Sequence, residues 1–432
     1  MDGLPDEMLA LVFAALPCTT VRGRASAVCW QWRHVALDPT AVGREPCVTA
    51  SERYRGTWCD QAARAGHLDC LRHLRAMGRH WREYTCTSAA EGGHLACLSY
   101  AHENGCRWGT DACVAAAQSG SIKCLRYLRE NGCPWDANVF EGAYGGGHIA
   151  CLEYARDNGC PWSIWASSMA ASNGHIACMA FALEHGRLSD DVCHWAARGG
   201  SVECLAWAHE RGVAWSETTC EWAAHAGHFG CLVYAHENGC PWDAKTCSAA
   251  AKGGHLDCLV YAHENGCPWD AEVWRMAVAG QHFACLDYAQ DNGCPRDDDA
   301  CMVKAAACGA MQAILHLIDR GFSWSTCALV GAVRWGNLDV LDRAHADGYS
   351  DATGDVCREA CSRERPDVLA LVHGHGWAWG GQKTCEAAIA SENVDIIEYA
   401  RQHGCRCKAW ERRFAPARRR RLVSRNAHGR AR

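Results

Sequence analysis

The chain has 432 residues, 49% hydrophobic and 21% charged, with a formal net charge of −6 at neutral pH. That supplies apolar material for a continuous core, yet it is too long for one compact globule. No apolar run approaches 18 residues, and Met1-Asp-Gly-Leu-Pro-Asp-Glu7 places acids where a secretory signal needs basic residues, so the expectation is an intracellular chain with no membrane partner.

The first element is an amphipathic helix from Pro5 to before Pro17, on which Leu4, Met8, Leu9, Val12, Phe13 and Leu16 recur at helical spacing. A second helix, from about Thr20 to Ala36, brings Val21, Val28, Trp32 and Val35 to one side. Forty or so residues bury little core alone, and apolar surface is left for a partner or for capping whatever follows. Leu4-Pro-Asp-Glu-Met-Leu-Ala-Leu-Val-Phe-Ala-Ala-Leu-Pro17, then Val28-Cys-Trp-Gln-Trp-Arg33 and Asp38-Pro39, resembles the F-box. That resemblance implies a domain over residues 1–45 that docks on the Skp-family adaptor of a cullin-RING ubiquitin ligase. Carried over by position, Leu4, Pro5, Leu9, Val12, Phe13, Leu16, Val28, Cys29 and Trp32 would form or support the docking face.

From about Tyr54 to Cys407 one phrase of roughly 27 residues is restated about thirteen times. Its beat is kept by Gly66, Gly93, Gly120, Gly147, Gly174, Gly200, Gly227 and Gly254, then by Gln281, Gly309, Gly336, Glu364 and Glu392; only the step from Gly174 to Gly200 is 26. Within a unit the local chemistry predicts helix, turn, helix, turn. Asp243, like Asp136, Ser163, Ser216, Asp270 and Ser325, stands where a side-chain oxygen caps the first helix. Ala249, Ala250 and Ala251 let neighbouring backbones approach, and Gly253-Gly254 ends the helix in a left-handed conformation. A second helix over about Leu256–Glu264 buries Leu256, Cys258, Leu259 and Ala262; Asn265-Gly266 stops it and Trp269 is expected to plug the gap between units. Such a unit cannot bury its apolar face alone and has to stack on its neighbours.

Most of the 32 cysteines recur at three fixed places in the repeat, typified by Cys247, Cys258 and Cys267. Equivalent cysteines of adjacent units should stand about 10 Å apart, beyond disulfide reach, so free thiols serving as small buried hydrophobes are expected. Pairs inside one unit, such as Cys247 with Cys258, stay open.

The order Ala-Ala-x-x-Gly-His-x-x-Cys-Leu-x-x-Ala-x-x-x-Gly-Cys resembles the ankyrin repeat through both helices, with Cys-Pro-Trp after the closing glycine and about six residues missing where ankyrin units carry a finger. The fold expected is therefore all-α: an ankyrin-like solenoid over 54–408 with shortened fingers and almost no strand. Positions on the first helix differ in charge from unit to unit, which suits either a plain solvated surface or a face shaped for a partner. The candidates are Asp60, Arg64, Thr87, Glu91, Gln118, Glu141, His194, Arg198, Glu221, His225, Ser248, Lys252 and Arg275.

No catalytic constellation stands out, and no cofactor is expected. His94 with Cys97, or His255 with Cys258, supplies two ligands where a zinc site needs three or four, and a histidine there can bond turn backbone instead. Residues 406–432 carry eleven Lys or Arg against Glu411, a net of +10 that leaves the rest at −16. This basic tail, taken as 409–432, suits a nuclear import signal, attachment to nucleic acid, or no role at all.

The combined expectation is a non-catalytic adaptor of the host cytoplasm or nucleus, linking an unknown target on the array to a ubiquitin ligase at the F-box. The pairing, with its Gly-Cys-Pro-Trp phrase, resembles proteins of large DNA viruses that infect amoebae. The alternative is a stand-alone scaffold or inhibitor that sequesters a partner.

Overall fold

A computed structural model describes residues 58–163 and 165–403. They form 26 α-helices and, among the described residues, no strand. The helices come as successive antiparallel-type pairs, from Trp58–Arg64 with Leu68–Ala76 to Gln382–Ala390 with Val394–Gln402. Two compact units result, one of the pairs up to residue 219 together with 233–238, the other of 220–232 and the pairs from 239 onward. Within each unit the first helices of successive pairs lie against one another more extensively than the second helices do. Their small faces permit this: Ala250 and Ala116 are fully buried, and a Cβ on Gly142 would stand 2.8 Å from the Val114 carbonyl oxygen.

One pair shows how the local sequence dictates the local structure. Asp243 accepts from the Lys245 amide at 3.0 Å and opens Ala244–Gly253; Gly254, at φ 79°, closes it and leads to Leu256–Glu264. The Cys267 amide then reaches back to the Ala262 carbonyl at 2.9 Å, a Schellman closure over Gly266 at φ 83°. Ser325, Asp270 and Asp136 accept from backbone amides in the same way as Asp243. Cys258, Leu259 and Ala262 are buried as expected, whereas Leu256 is only half-buried. The left-handed position is kept by Gln281, Glu364 and Glu392 even without glycine, at φ 58°, 55° and 55°.

In several repeats the residue before the second helix is a histidine that lies over the left-handed glycine of the preceding repeat, and Ser121, Ser201, Ala310, Asn337, Arg365 or Asn393 takes its place in the others. A Cβ on Gly66 would stand 2.6 Å from the His94 ring, and one on Gly120 or Gly147 would stand 2.5 or 2.7 Å from His148 or His175. In the second unit Gly227 meets His255 at 2.3 Å and Gly254 meets His282 at 2.5 Å. The same ring bonds backbone of the repeat below: His148 Nε2 to the Gln118 oxygen at 3.1 Å, His282 Nε2 to the Lys252 oxygen at 3.2 Å. Glycine is thus required twice over, by φ and by the neighbour's ring. Where the next repeat offers the small Ala310 instead of histidine, Gln281 replaces glycine.

The thiols act as clasps. Cys106 donates to the Arg82 carbonyl at 3.1 Å, Cys133 to Gly109 at 3.3 Å, Cys160 to Asp136 at 3.2 Å and Cys267 to Asp243 at 3.2 Å, each tying the end of a repeat to the residues before its own first helix. The first-helix thiol hydrogen-bonds to this clasp, Cys86 to Cys106 and Cys247 to Cys267, and that bond, with burial second, pushes the Cys86 and Cys247 thiols far above their ordinary pKa. Cys247 is therefore partnered by Cys267, and Cys258 lies elsewhere in the core, where burial raises its pKa to about 12. Twenty-six described cysteines are free; Cys385 is the exception to the expected pattern and is disulfide-bonded.

Trp269 lies at the junction of two repeats, edge-on to the next repeat's Tyr288 ring with centroids 6.1 Å apart, as a rim contact and not a buried plug. It is half-buried and stacks on the second-helix His263, ring centroids 3.8 Å apart, while His263 Nδ1 and the next repeat's Tyr288 hydroxyl are 2.9 Å apart. His102, Trp108 and Tyr127 repeat the arrangement at 3.6 and 3.1 Å, and Arg75 over Trp81 at 4.3 Å or Arg129 over Trp135 at 4.5 Å substitutes a guanidinium for the imidazole.

Two outcomes follow from this packing. Gly254→Ala should cost about 2–4 kcal/mol, the left-handed strain plus the clash with His282, whereas Gly266→Ala, which meets no atom within 4 Å, should cost only about 1–2 kcal/mol; urea midpoints of the two variants compare them, and His282→Ala should relieve part of the first loss. Iodoacetamide at pH 8 followed by peptide mass spectrometry should label the exposed Cys308 and Cys327 quickly and leave Cys86, Cys113, Cys247 and Cys258 unlabelled until urea is added.

Candidate interaction surface

The residues expected to form the adaptor-docking face, Leu4, Pro5, Leu9, Val12, Phe13, Leu16, Val28, Cys29 and Trp32, lie outside the described residues.

The expected target-facing residues divide by environment. Asp60 is 5% exposed and accepts from the Thr85 hydroxyl at 2.6 Å, and Ser248 is 8% exposed and donates to the Lys245 carbonyl at 3.0 Å, so both are spent on packing rather than presented to a partner. The repeat register puts them on the first helix, but the next first helix closes over that side. Thr87, Glu141, His194, Glu221 and His225 are half-buried, with Glu141 accepting from Ser163 at 2.5 Å. Arg64, Glu91, Gln118, Arg198, Lys252 and Arg275 are exposed. Arg64 pairs with Glu91, Arg275 pairs with Glu272 at 2.8 Å, and the Arg198 guanidinium lies 4.8 Å over the Trp195 ring.

The richest local chemistry sits where the 27-residue beat drops to 26. There Arg187-Leu188-Ser189-Asp190-Asp191 replaces the Cys-Pro-Trp-Asp phrase. Asp191 Oδ1 accepts from Ser168 at 2.8 Å and from Ser189 at 2.5 Å, and Oδ2 accepts from Trp195 Nε1 at 2.9 Å. Burial pushes the carboxyl up, but the hydrogen bonds from Ser189, Ser168 and Trp195 outweigh it and hold Asp191 below the usual carboxylate range. His194 Nδ1 and the Thr218 hydroxyl are 3.5 Å apart; burial lowers the imidazole pKa, Asp191 opposes this and Arg198 adds to it, leaving a neutral ring at pH 7. Asp190, Asp191, His194, Trp215, Ser216 and Thr218 line a cavity of about 240 Å³. At the start of the first helix of the preceding repeat, Trp165 and Met169 are 54% and 39% exposed. Comparison of repeats singles out His194 as a surface candidate and Ser216 as a cap, and Trp215 keeps the ordinary loop-tryptophan place; for Asp190 and Asp191 the shortened step was the available signal.

No group of three or more His, Cys, Asp or Glu side chains that could hold a metal occurs among the described residues. The His-x-x-Cys pairs do not converge: His282 turns to the Lys252 carbonyl while Cys285 is fully buried in the core. Among the described residues no helix is long and apolar enough to cross a membrane.

Residues 1–49 match the model of the F-box-like family. Among solved structures the chain is similar to the human ASB11 ankyrin repeat domain, at 25% identity and TM-score 0.31 over 36% of this chain and 84% of that one. It is also similar to the pentatricopeptide repeat protein PPR10 in complex with an 18-nt psaJ RNA element, at 12% identity and TM-score 0.32 over 92% and 73%, and to PPR10 from maize, at 12% and 0.29 over 93% and 73%. TM-scores of this size do not separate one helical-repeat family from another, and the repeat geometry stands on its own. Curated proteins gave no match.

Asp191→Asn should lower stability by about 1–3 kcal/mol at pH 7, since it weakens charge-assisted bonds to two hydroxyls and an indole. The folded-state pKa is depressed, so the stabilisation is fully present above the unfolded value near 3.9 and is lost as pH falls through the lower folded value. Thermal melts from pH 7 to pH 2 should therefore show the gap between variant and parent closing only in strong acid.

Proposed function

We propose that the chain is a non-catalytic adaptor: an N-terminal F-box-like domain, residues 1–45, engages a Skp-family adaptor of a cullin-RING ubiquitin ligase, and the helical array, 54–408, captures a target protein. The single observation that carries the reading is the F-box-like match over residues 1–49 joined to a helical-repeat array whose first-helix positions vary from unit to unit. Repeats of this kind spend their constant residues on stacking and leave the others free to specify a partner. No chemistry is asked of the chain itself. Holding the target and the ligase together raises the effective concentration of target lysines at the transferring enzyme. In this reading the basic residues of 409–432 direct the protein to the nucleus, and the ligase is one of a host cell redirected by a viral protein.

The test is co-purification from a eukaryotic cell lysate. The intact chain should bring down a Skp-family adaptor and a cullin. Deletion of 1–45, or the paired substitution Pro5→Ala and Leu9→Ala, should reduce the adaptor signal at least tenfold while circular dichroism of the array is unchanged. Adaptor capture that survives the deletion, or none by the intact chain, sinks the ligase reading and leaves a stand-alone scaffold that sequesters its partner.

A further inference from the structure

The cavity where the repeat shortens is negatively charged and polar. Asp190 and Asp191 line it, no lysine or arginine does, and Asp190 is exposed and hydrogen-bonds no described residue. The neutral His194 contributes no balancing charge. One wall is Trp215, already held in orientation by the His209 ring stacked 3.8 Å away, and the Ser216 and Thr218 hydroxyls, 2.8 Å apart, supply further oxygen. A volume of about 240 Å³ is smaller than the roughly 300–1,000 Å³ of cofactor and drug sites, and it suits one long side chain. Two carboxylates, hydroxyls and an indole in a partly desolvated recess are complementary to an organic cation, through charge-assisted hydrogen bonds and cation–π contact.

An apolar shelf lies on the first helix of the repeat before it. Trp165 and Met169 are four residues apart and so share a helix face. The Met169 methyl rests beside Gly145, 3.4 Å from where a Cβ would be, so the shelf is floored by backbone instead of side chains. Asp191 joins the two features: it lines the cavity, and its carboxylate accepts from Ser168, the residue before Met169. Trp165 is 54% exposed, whereas loop tryptophans such as Trp108, Trp215 and Trp269 stack on histidine and Trp81 and Trp135 lie under arginine.

We propose that this cavity and shelf form one recognition site for a polypeptide segment carrying an arginine or lysine side chain, seated between Asp190 and Asp191, next to a bulky apolar side chain seated on Trp165 and Met169. The inference rests on the reading of the array as the target-binding part, and it assigns that task to the first unit and to a basic, apolar motif. An anionic partner, nucleic acid included, is excluded from this site by its charge.

The probe is a phage-displayed library of random 12-residue peptides panned against the full-length chain, with the enriched peptides synthesised and titrated by calorimetry. The expected result is enrichment of Arg or Lys together with Trp, Phe, Leu or Met. Asp190→Asn should weaken binding at least tenfold, as should Trp165→Ala combined with Met169→Ala, with the melting temperature of Asp190→Asn unchanged. The reversed-charge variant Asp190→Lys should enrich peptides with Asp or Glu in place of the basic residue, an exchange that loss of folding cannot produce. No enriched peptide, peptides without a basic residue, or affinities indifferent to Asp190→Asn would each overturn the proposal. Skp-adaptor co-purification by the same preparation keeps the two readings apart: if it persists while the peptide result fails, only this site is lost, and if it fails while the peptides conform, only the ligase reading is lost.

Discussion

The histidine of one repeat lying on the left-handed glycine of the repeat before it is the contact on which the stack depends. It does several things at one point. The glycine ends a helix and reverses the chain, the missing Cβ makes room for the imidazole, and the ring bonds a carbonyl that the helix end leaves unpaired, as His148 does for Gln118. Because each ring needs the glycine beneath it, repeats hold in register as neighbours and no unit is complete alone. The exceptions obey the same logic. Ser121 reaches the Gly93 carbonyl at 3.4 Å and leaves space above that glycine, and Ala310 leaves enough for Gln281.

Cysteine solves a different difficulty. A repeat with almost no finger must bring the chain after its second helix back to the residues before its first, and the carbonyls there face a cramped, mostly apolar place. A thiol is small enough to be buried and still donates weakly, so Cys106, Cys133, Cys160 and Cys267 each close a repeat on its own backbone. A serine would donate more strongly but would carry a larger desolvation cost, and an alanine would leave the carbonyl without its donor. The first-helix thiol that bonds the clasp is pushed up, as Cys86 is, and the clasp thiols Cys106 and Cys133 are lowered by the same bond, while burial alone raises core thiols such as Cys258 and keeps them protonated.

The outer edge is built from rings. Trp after the closing turn is held by His or Arg of the same repeat, and Tyr of the next repeat bonds the histidine, so the indole is oriented by two successive units. Against this background the step between Gly174 and Gly200 is an interruption. One residue is lost, the clasp thiol and its loop tryptophan are gone, and Asp191 takes over the local order by binding Ser168, Ser189 and Trp195. This joint is where Trp165, Met169 and Asp190 are exposed.

The sequence by itself determined what is local: the all-helical class, the helix pairs, their limits such as Leu256–Glu264, the capping by Asp243, and the left-handed turn at Gly254. These depend on residues within a few positions of one another, and a repeated phrase displays them thirteen times over. Only the tertiary structure decided which residues those elements face. The partner of Cys247, the reason glycine is kept at 254, the withdrawal of Asp60 into packing, and the meeting of Asp191 with Ser168 all join residues 20 to 30 positions apart. Whether a position chosen for its variability is solvent-facing or covered depends on the neighbouring helix that packs over it, and no window of a single repeat contains that helix.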